Sequence, residues 1–309
     1  MTWTPPQHDP QRELRDHLPA SGWRDAVAAI CARHGLGGAP LEPFPTGSDV
    51  VWSAGGHVVK LTAPLWADEI EAEARCQRQV AGRLGVATPE PLATGELAGW
   101  PYVVMTRVPG VALGEVWPGL EHAERLRLAA ELGALVRELH GIEVADQADG
   151  WDGFWQRCRA TVTERHSEPG VPGELAAQIG PFLESAGELV DEPRVLIHTE
   201  LLDQHVLVEE RGGRYGLCAL IDFADGRVGP AEYEFPAPVE FIFKGEPGLL
   251  RSFLSAYGLP EHELTPERSE RMLAWGLLHR FGRLLRMLRA VEPVRPATLP
   301  ELARRLYGL

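Results

Sequence analysis

The chain has 309 residues, 44% of them hydrophobic and 24% charged, and a formal net charge of −14. That balance describes a globular protein and speaks against a nucleic-acid partner, because no basic stripe is present to neutralise phosphates. No apolar run is long enough to cross a bilayer, and the start MTWTPPQHDPQREL carries no apolar signal-peptide core, so neither membrane insertion nor export is expected.

The four cysteines, Cys31, Cys76, Cys158 and Cys218, are scattered and form no CxxC pair. Reduced thiols and a cytoplasmic location are the expectation. The acidity keeps the protein soluble, and it also suits a cationic small molecule drawn in by the field of the whole protein.

Residues 1–20 are polar and proline-containing and read as a loose lead-in. From Trp23 to His34 apolar residues recur at helical spacing and stop at Gly35 and Gly37, which predicts a helix with a glycine end. Phe44 to Leu61 reads as strand, turn, strand. Thr46-Gly47-Ser48-Asp49 forms the first tip, Gly55-Gly56 the second turn, and Val58 to Leu61 the strand that follows. Lys60 within that strand would ordinarily be a solvated side chain.

Asp68 to Leu84 is a strong helix former with a charged face. After Pro89 and Pro91, Tyr102 to Met105 is a buried-strand run, and Pro109-Gly110 punctuates the chain. Leu128, Leu132, Leu135 and Leu139 mark a long core helix over Glu121 to His140, with His140 read as a packing residue. Trp151, Phe154 and Trp155 stand beside Asp149 and Asp152. Aromatic faces next to carboxylates suit a cationic or sugar-like ligand, and the same spacing also describes a core-facing turn of helix. Further helices are predicted over Glu174–Leu189, Leu249–Tyr257 and Arg268–Val291.

The stretch from Val195 to Phe235 organises the rest. Its apolar runs Val206–Val208 and Leu217–Ile221 flank the turn Arg211–Gly213, a hairpin pattern. His198, Glu200, Asp203 and His205 precede the first run, and Asp222 and Asp225 follow the second. Carboxylates and imidazoles at the ends of a rigid hairpin suit metal and phosphate chemistry.

His198-Thr-Glu200-x4-His205, the hairpin and then Ile221-Asp222-Phe223-Ala224-Asp225 together resemble the core of the aminoglycoside phosphotransferase family. That family reads His-Gly-Asp-x4-Asn, a hairpin, then Ile-Asp-Phe, and is similar to protein kinases in fold. The resemblance covers roughly residues 40 to 245, and its specificity lies in 198–225. It implies a two-lobed α+β fold: residues 1–106 as a nucleotide-binding lobe with an antiparallel sheet and one key helix, and 107–309 as a larger, mainly helical catalytic and substrate-binding lobe. ATP, or GTP, would lie in the cleft between them.

The resemblance assigns roles by position. Lys60 would touch the α- and β-phosphates, with Gly47 and Ser48 offering backbone N–H groups to phosphate. Glu73, or failing it Glu69 one turn earlier, would pair with Lys60. Backbone groups around Met105, Thr106 and Val108 would receive the adenine. Glu200, in the place of the family's Asp, would act at the acceptor hydroxyl, and Asp222 would bind the metal. His205, in the place of the family's Asn, would be a metal ligand or a loop brace. An imidazole suits Mn²⁺ better than the hard ion Mg²⁺. His198 would fix the loop, and the last acid of Gly229-Pro-Ala-Glu-Tyr-Glu234 would brace it.

The implied activity is phosphorylation of a hydroxyl on a small cationic molecule, an aminoglycoside or related antibiotic. Because Glu200 and His205 both depart from the family's identities, a kinase-like protein that binds nucleotide or ligand without transfer is the alternative. A two-histidine, one-carboxylate metal site at His198, Glu200 and His205 is a third arrangement the residue types permit.

Overall fold

The computed structural model describes residues 3–7, 14–45, 47–144, 150–186, 189 and 194–309. Thr46 and Asp149 lie outside the described residues. The chain divides into two compact units. The first comprises Met1–Gly82, Ala87–Pro109 and Asp222–Asp225, and the second Arg83–Val86, Gly110–Ile221 and Gly226–Leu309.

The first unit is built on an antiparallel sheet of β1 (Leu41–Pro43), β2 (Val50–Ala54), β3 (His57–Leu61), β4 (Pro91–Leu97) and β5 (Trp100–Thr106), in the order β1-β2-β3-β5-β4. Alternation along β3 sends successive side chains to opposite faces. Val59 and Leu61 join one cluster with Trp52, Val104 and the helix residues Ala26, Val27 and Ile30. Val58 packs on the other face with Val103, Met105, Ile70 and Ala74. The sheet is thus covered on both sides, by helix Ala20–Arg33 and by helix Ala67–Val80. Lys60 shares the parity of Val58 and is buried, 5% exposed, so the solvated-lysine reading does not hold here.

Helix Ala67–Val80 stops short of Leu84, because Gly82 takes φ +66° and the Ala81 N–H closes the last turn on the Gln77 carbonyl. The lead-in is tied down in part: Trp3 packs on Trp23 and Trp100 and donates its indole N–H to the Gly22 carbonyl.

The second unit is mainly helical. Helix His122–His140 packs on helix Leu249–Tyr257 so closely that a Cβ at Gly133 would lie 2.0 Å from the Phe253 carbonyl oxygen. β8 (Val206–Arg211) and β9 (Arg214–Leu220) form the expected hairpin, joined by Gly212 and Gly213, both at positive φ. That is the backbone a tight hairpin requires. β6 (Val111–Ala112) pairs with β8, and β7 (Arg194–Ile197) pairs with β10 (Arg227–Pro230).

Two predicted helices are interrupted. Glu174–Leu189 breaks into Gly173–Ala176 and Ile179–Ser185. Pro181 has no N–H for the Ala177 carbonyl four residues back, which removes the bond that would have joined them. Arg268–Val291 breaks into Pro266–Leu278 and Leu284–Ala290, with 279–283 between. Trp151, Phe154 and Trp155 are buried with Tyr233 and Trp275, so they serve as core and not as a ligand platform. Asp152 instead pairs with Arg194. All four cysteines are reduced and buried. Among the described residues, no helix is long and apolar enough to cross a membrane.

Candidate active site

Two groups of side chains carry the chemistry, one in each unit. In the first, β3 aims Lys60 at the helix Ala67–Val80, where Glu73 occupies the buried face with Ile70, Ala74 and Gln77. Lys60 Nζ lies 3.0 Å from Glu73 Oε2, 3.0 Å from Asp222 Oδ1 and 3.3 Å from Asp49 Oδ2. Gln77 Nε2 donates to Glu73 Oε1 at 3.1 Å and holds that carboxylate from its other side. The partner of Lys60 on this helix is therefore Glu73; Glu69 sits one turn earlier. Asp222 reaches the cluster through a left-handed backbone, φ +65°, a conformation Asp tolerates better than most residues.

Burial works against the charge of Lys60, yet Asp222, Glu73 and Asp49 outweigh it and hold the ammonium well above its ordinary pKa. Burial, aided by Asp222 and Asp49, pushes Glu73 up to about 7 against the pull of Lys60. Three acids around one ammonium leave an excess of negative charge that an incoming cation would relieve. Asp222 is the most open of the three, its side chain 31% exposed against 2% for Glu73 and 12% for Asp49. Its hard oxygens suit Mg²⁺.

The nearby predicted nucleotide contacts are distributed unevenly. Gly47, φ +104°, and Ser48 are exposed in the loop before β2. A Cβ at Gly47 would meet nothing within 4 Å. Met105 is buried in β5, its sulfur accepting from Gln77 Nε2 at 3.3 Å. Thr106 donates its N–H to the Glu90 carbonyl, and its Oγ1 accepts the Glu90 N–H at 2.8 Å. The Thr106 side chain therefore has a structural task. Arg107 donates its N–H to Gly56 O, and half-buried Val108 follows outside the strand.

In the second unit, the loop 198–205 joins β7 to β8 and is held from below by buried groups. Glu234, fully buried, accepts the N–H of His198 at 2.5 Å and of Thr199 at 2.9 Å. His140 Nε2 lies 3.7 Å from the same carboxylate, while its Nδ1 meets the Tyr257 hydroxyl at 3.0 Å. His198 uses both ring nitrogens on backbone: Nε2 donates to Ile221 O at 2.9 Å, and Nδ1 accepts the Glu200 N–H at 3.2 Å. That rules it out as a metal ligand and with it the two-histidine, one-carboxylate arrangement. Among the described residues, no group of three or more His, Cys, Asp or Glu side chains is set to hold an ion.

His205 Nδ1 donates to the Glu200 carbonyl at 2.9 Å, and Gln204 Nε2 lies 3.4 Å from its Nε2. With Nδ1 on the Glu200 carbonyl and Nε2 facing the Gln204 amide, both ring nitrogens of His205 are engaged within the loop, which fits the part of a loop brace. Asp203 packs against Gly114 and accepts its N–H through the backbone carbonyl.

Thr199 is a third departure from the family pattern, beside Glu200 and His205. It stands where the family has glycine, and it takes φ +72°, costly for a β-branched residue. Its N–H goes to Glu234, and its carbonyl accepts from His279 Nε2 at 3.0 Å. His279 Nδ1 in turn accepts the Phe281 N–H, and the ring stacks on Tyr233 at 4.5 Å between centroids. His166 does similar work, donating to Leu277 O and accepting the Leu284 N–H. Burial keeps both imidazoles neutral, pushing His279 down to about 3 and His166 to about 4. Sequence reasoning missed His279 because nothing in a helical repeat marks the residue at which the helix will open.

Comparisons with solved structures agree with this architecture. An aminoglycoside 2'-phosphotransferase in its GDP complex is 18% identical, covering 92% of this chain and 97% of its own, with a TM-score of 0.67. A macrolide 2'-phosphotransferase from Brachybacterium faecium is 22% identical over 88% and 99%, with a TM-score of 0.57. An aminoglycoside phosphotransferase from Streptomyces rimosus, in complex with ADP and streptomycin, is 19% identical over 82% and 98%, with a TM-score of 0.59. A comparison with curated protein sequences gives no match.

The fold is the two-lobed, kinase-like α+β fold of these phosphotransferases. Residues 41–271 match the model of the phosphotransferase enzyme family, and the chain belongs to that family.

Proposed function

We propose that this chain transfers the terminal phosphoryl group of ATP, or of GTP, to a hydroxyl of a small cationic molecule of the aminoglycoside type. The observation that carries the reading is the Lys60–Glu73–Asp222 group: a buried ammonium held by a helix carboxylate and reached by the acid that follows the hairpin. Phosphoryl transfer asks for positioning and charge neutralisation more than covalent work.

In this reading Lys60 grips the α- and β-phosphates, Glu73 holds Lys60 in place, and the backbone at Gly47 and Ser48 approaches the phosphates. Backbone groups near Met105, Thr106 and Val108 take the base. Glu200 orients or deprotonates the acceptor hydroxyl. Asp222 would hold Mg²⁺ or Mn²⁺, which would neutralise charge on the phosphates, and His205 keeps the part of a loop brace. The net charge of −14 favours a cationic acceptor. Several similar proteins are complexes with kanamycin or streptomycin.

Calorimetric titration of ATP and GTP, each with Mg²⁺ and with Mn²⁺, tests the reading. Lys60→Ala should weaken binding about 10-fold to 100-fold, the worth of one charge-assisted hydrogen bond. Metal-dependent nucleotide binding should then be followed by ADP or GDP release in a panel of cationic hydroxylated acceptors. No nucleotide binding by the wild type overturns the proposal. Binding with no release for any acceptor favours the alternative, a nucleotide-binding protein impaired in transfer by Thr199, Glu200 and His205.

A further inference from the structure

Three carboxylate oxygens lie within 3.3 Å of the Lys60 ammonium; Asp222 Oδ1 takes a hydrogen bond from it, and Asp49 and Glu73 face it as charge partners. A phosphate oxygen that approached it would meet the negative charge of all three, and that repulsion eases when one of them turns away. The three differ in how firmly they are held. Glu73 lies on a helix, buried, with its second oxygen bonded to Gln77. Asp222 Oδ1 sits at 3.0 Å and accepts from the ammonium directly. Asp49 is the most distant, at 3.3 Å, and stands at the end of the exposed loop that contains Gly47 and Ser48.

Asp49 also borders a cleft of about 820 Å³ lined with Pro43, Phe44, Trp23 and Trp52. Open space therefore lies within reach of its side chain when it turns away from Lys60. Its departure would also remove one negative charge from a cluster that otherwise repels a polyphosphate.

We propose that Asp49 is a built-in competitor for Lys60, occupying the ammonium until a nucleotide phosphate displaces it, and thereby setting how tightly phosphorylated nucleotides bind. The inference rests on Lys60 being the phosphate anchor. Asp49 acts through Lys60 and is a positioning residue, not a catalytic one. Its competition applies only to ligands that carry phosphate, since a nucleoside has nothing to offer the ammonium.

The test is calorimetric binding of ADP and of adenosine, in buffer containing Mg²⁺, to wild type, Asp49→Asn, Asp49→Ala and Lys60→Ala. Both Asp49 variants should bind ADP about ten-fold more tightly, the equivalent of one half-buried charge pair no longer competing, with adenosine affinity unchanged. Thermal unfolding of each variant verifies that it is folded, and the two substitutions guard against one of them failing. Unchanged or weaker ADP binding overturns the inference, as does an equal gain for adenosine, which would report a loosened loop. ADP binding that is absent in wild type, or unaffected by Lys60→Ala, overturns the parent reading and this inference together.

Discussion

Glu234→Gln is the perturbation that most directly probes how the loop 198–205 is held. Glu234 places one oxygen 2.5 Å from the His198 N–H and the other 2.9 Å from the Thr199 N–H, in a fully buried site. Glutamine keeps one acceptor and turns an amide NH₂ toward the other N–H, so two donors face each other. One hydrogen bond to a charged acceptor is lost, worth about 1.5–3 kcal/mol, and a buried N–H is left unpaired at a further cost of about 1–3 kcal/mol. Glutamine no longer needs a buried negative charge, which offsets part of that total. A net loss of about 2–3 kcal/mol is expected on these magnitudes.

Urea unfolding followed by tryptophan fluorescence would read it, since Trp151, Trp155 and Trp275 all lie buried in the same unit. Hydrogen exchange at the His198 and Thr199 amides should accelerate in step. Glu234→Asp, which keeps the charge and shortens the reach by one methylene, should fall between wild type and Gln. A Glu234→Gln variant within about 0.5 kcal/mol of wild type, the ordinary range for a surface substitution, would refute the idea that this carboxylate supports the loop.

Thr199→Gly should be more stable than Thr199→Ala by about 1 kcal/mol, because both lack the threonine side chain and only glycine takes φ +72° without a Cβ penalty. Equal urea midpoints for the two would contradict the assigned backbone. Stability should also fall in acid. Burial lowers His166 to about 4 and His279 to about 3 in the folded protein, below the value of about 6.5 in an unfolded chain. Their contribution is complete above that pH and is lost as pH falls toward the folded values. The loss, complete only below the folded values, is about 3 kcal/mol for His166 and about 5 kcal/mol for His279. Glu240 has the opposite slope. Burial, opposed by Arg286, raises it to about 7, so its contribution is present below about 4.5 and lost as pH rises through 7. Urea midpoints of wild type and His166→Gln between pH 7.5 and 4 separate the two effects. The glutamine variant should lose less of its remaining stability on acidification, and parallel curves would exclude the histidine.

Much of this protein was legible in local pattern. The hairpin at 206–220 announced itself through two apolar runs and a pair of glycines, and the structure supplies the positive φ values those glycines permit. The spacing of His198, Glu200, His205 and Asp222 was readable because a hairpin of set length carries its end residues to set places. The helix bearing Glu73 followed from its run of strong helix formers; that Glu73 shares the buried face of Ile70, Ala74 and Gln77 was shown by the structure.

What the sequence could not decide were matters of which face, which partner and where a helix opens. A strand reading HVVKL leaves Lys60 free to face water or core. It is buried only because a helix covers that side of the sheet, and the burial is what gathers Asp49, Glu73 and Asp222 around it. Threonine at 199 gives no local sign that its backbone will be left-handed; Glu234 and His279, distant in sequence, impose that conformation by claiming its N–H and carbonyl. The aromatics near 151 suited a ligand as well as the commoner core-facing turn, and Tyr233 and Trp275, brought from elsewhere in the chain, enclose them as core. Periodicity records what each segment does with its own neighbours. Burial and charge pairing depend on segments it cannot see, and those contacts exist only once the chain has folded.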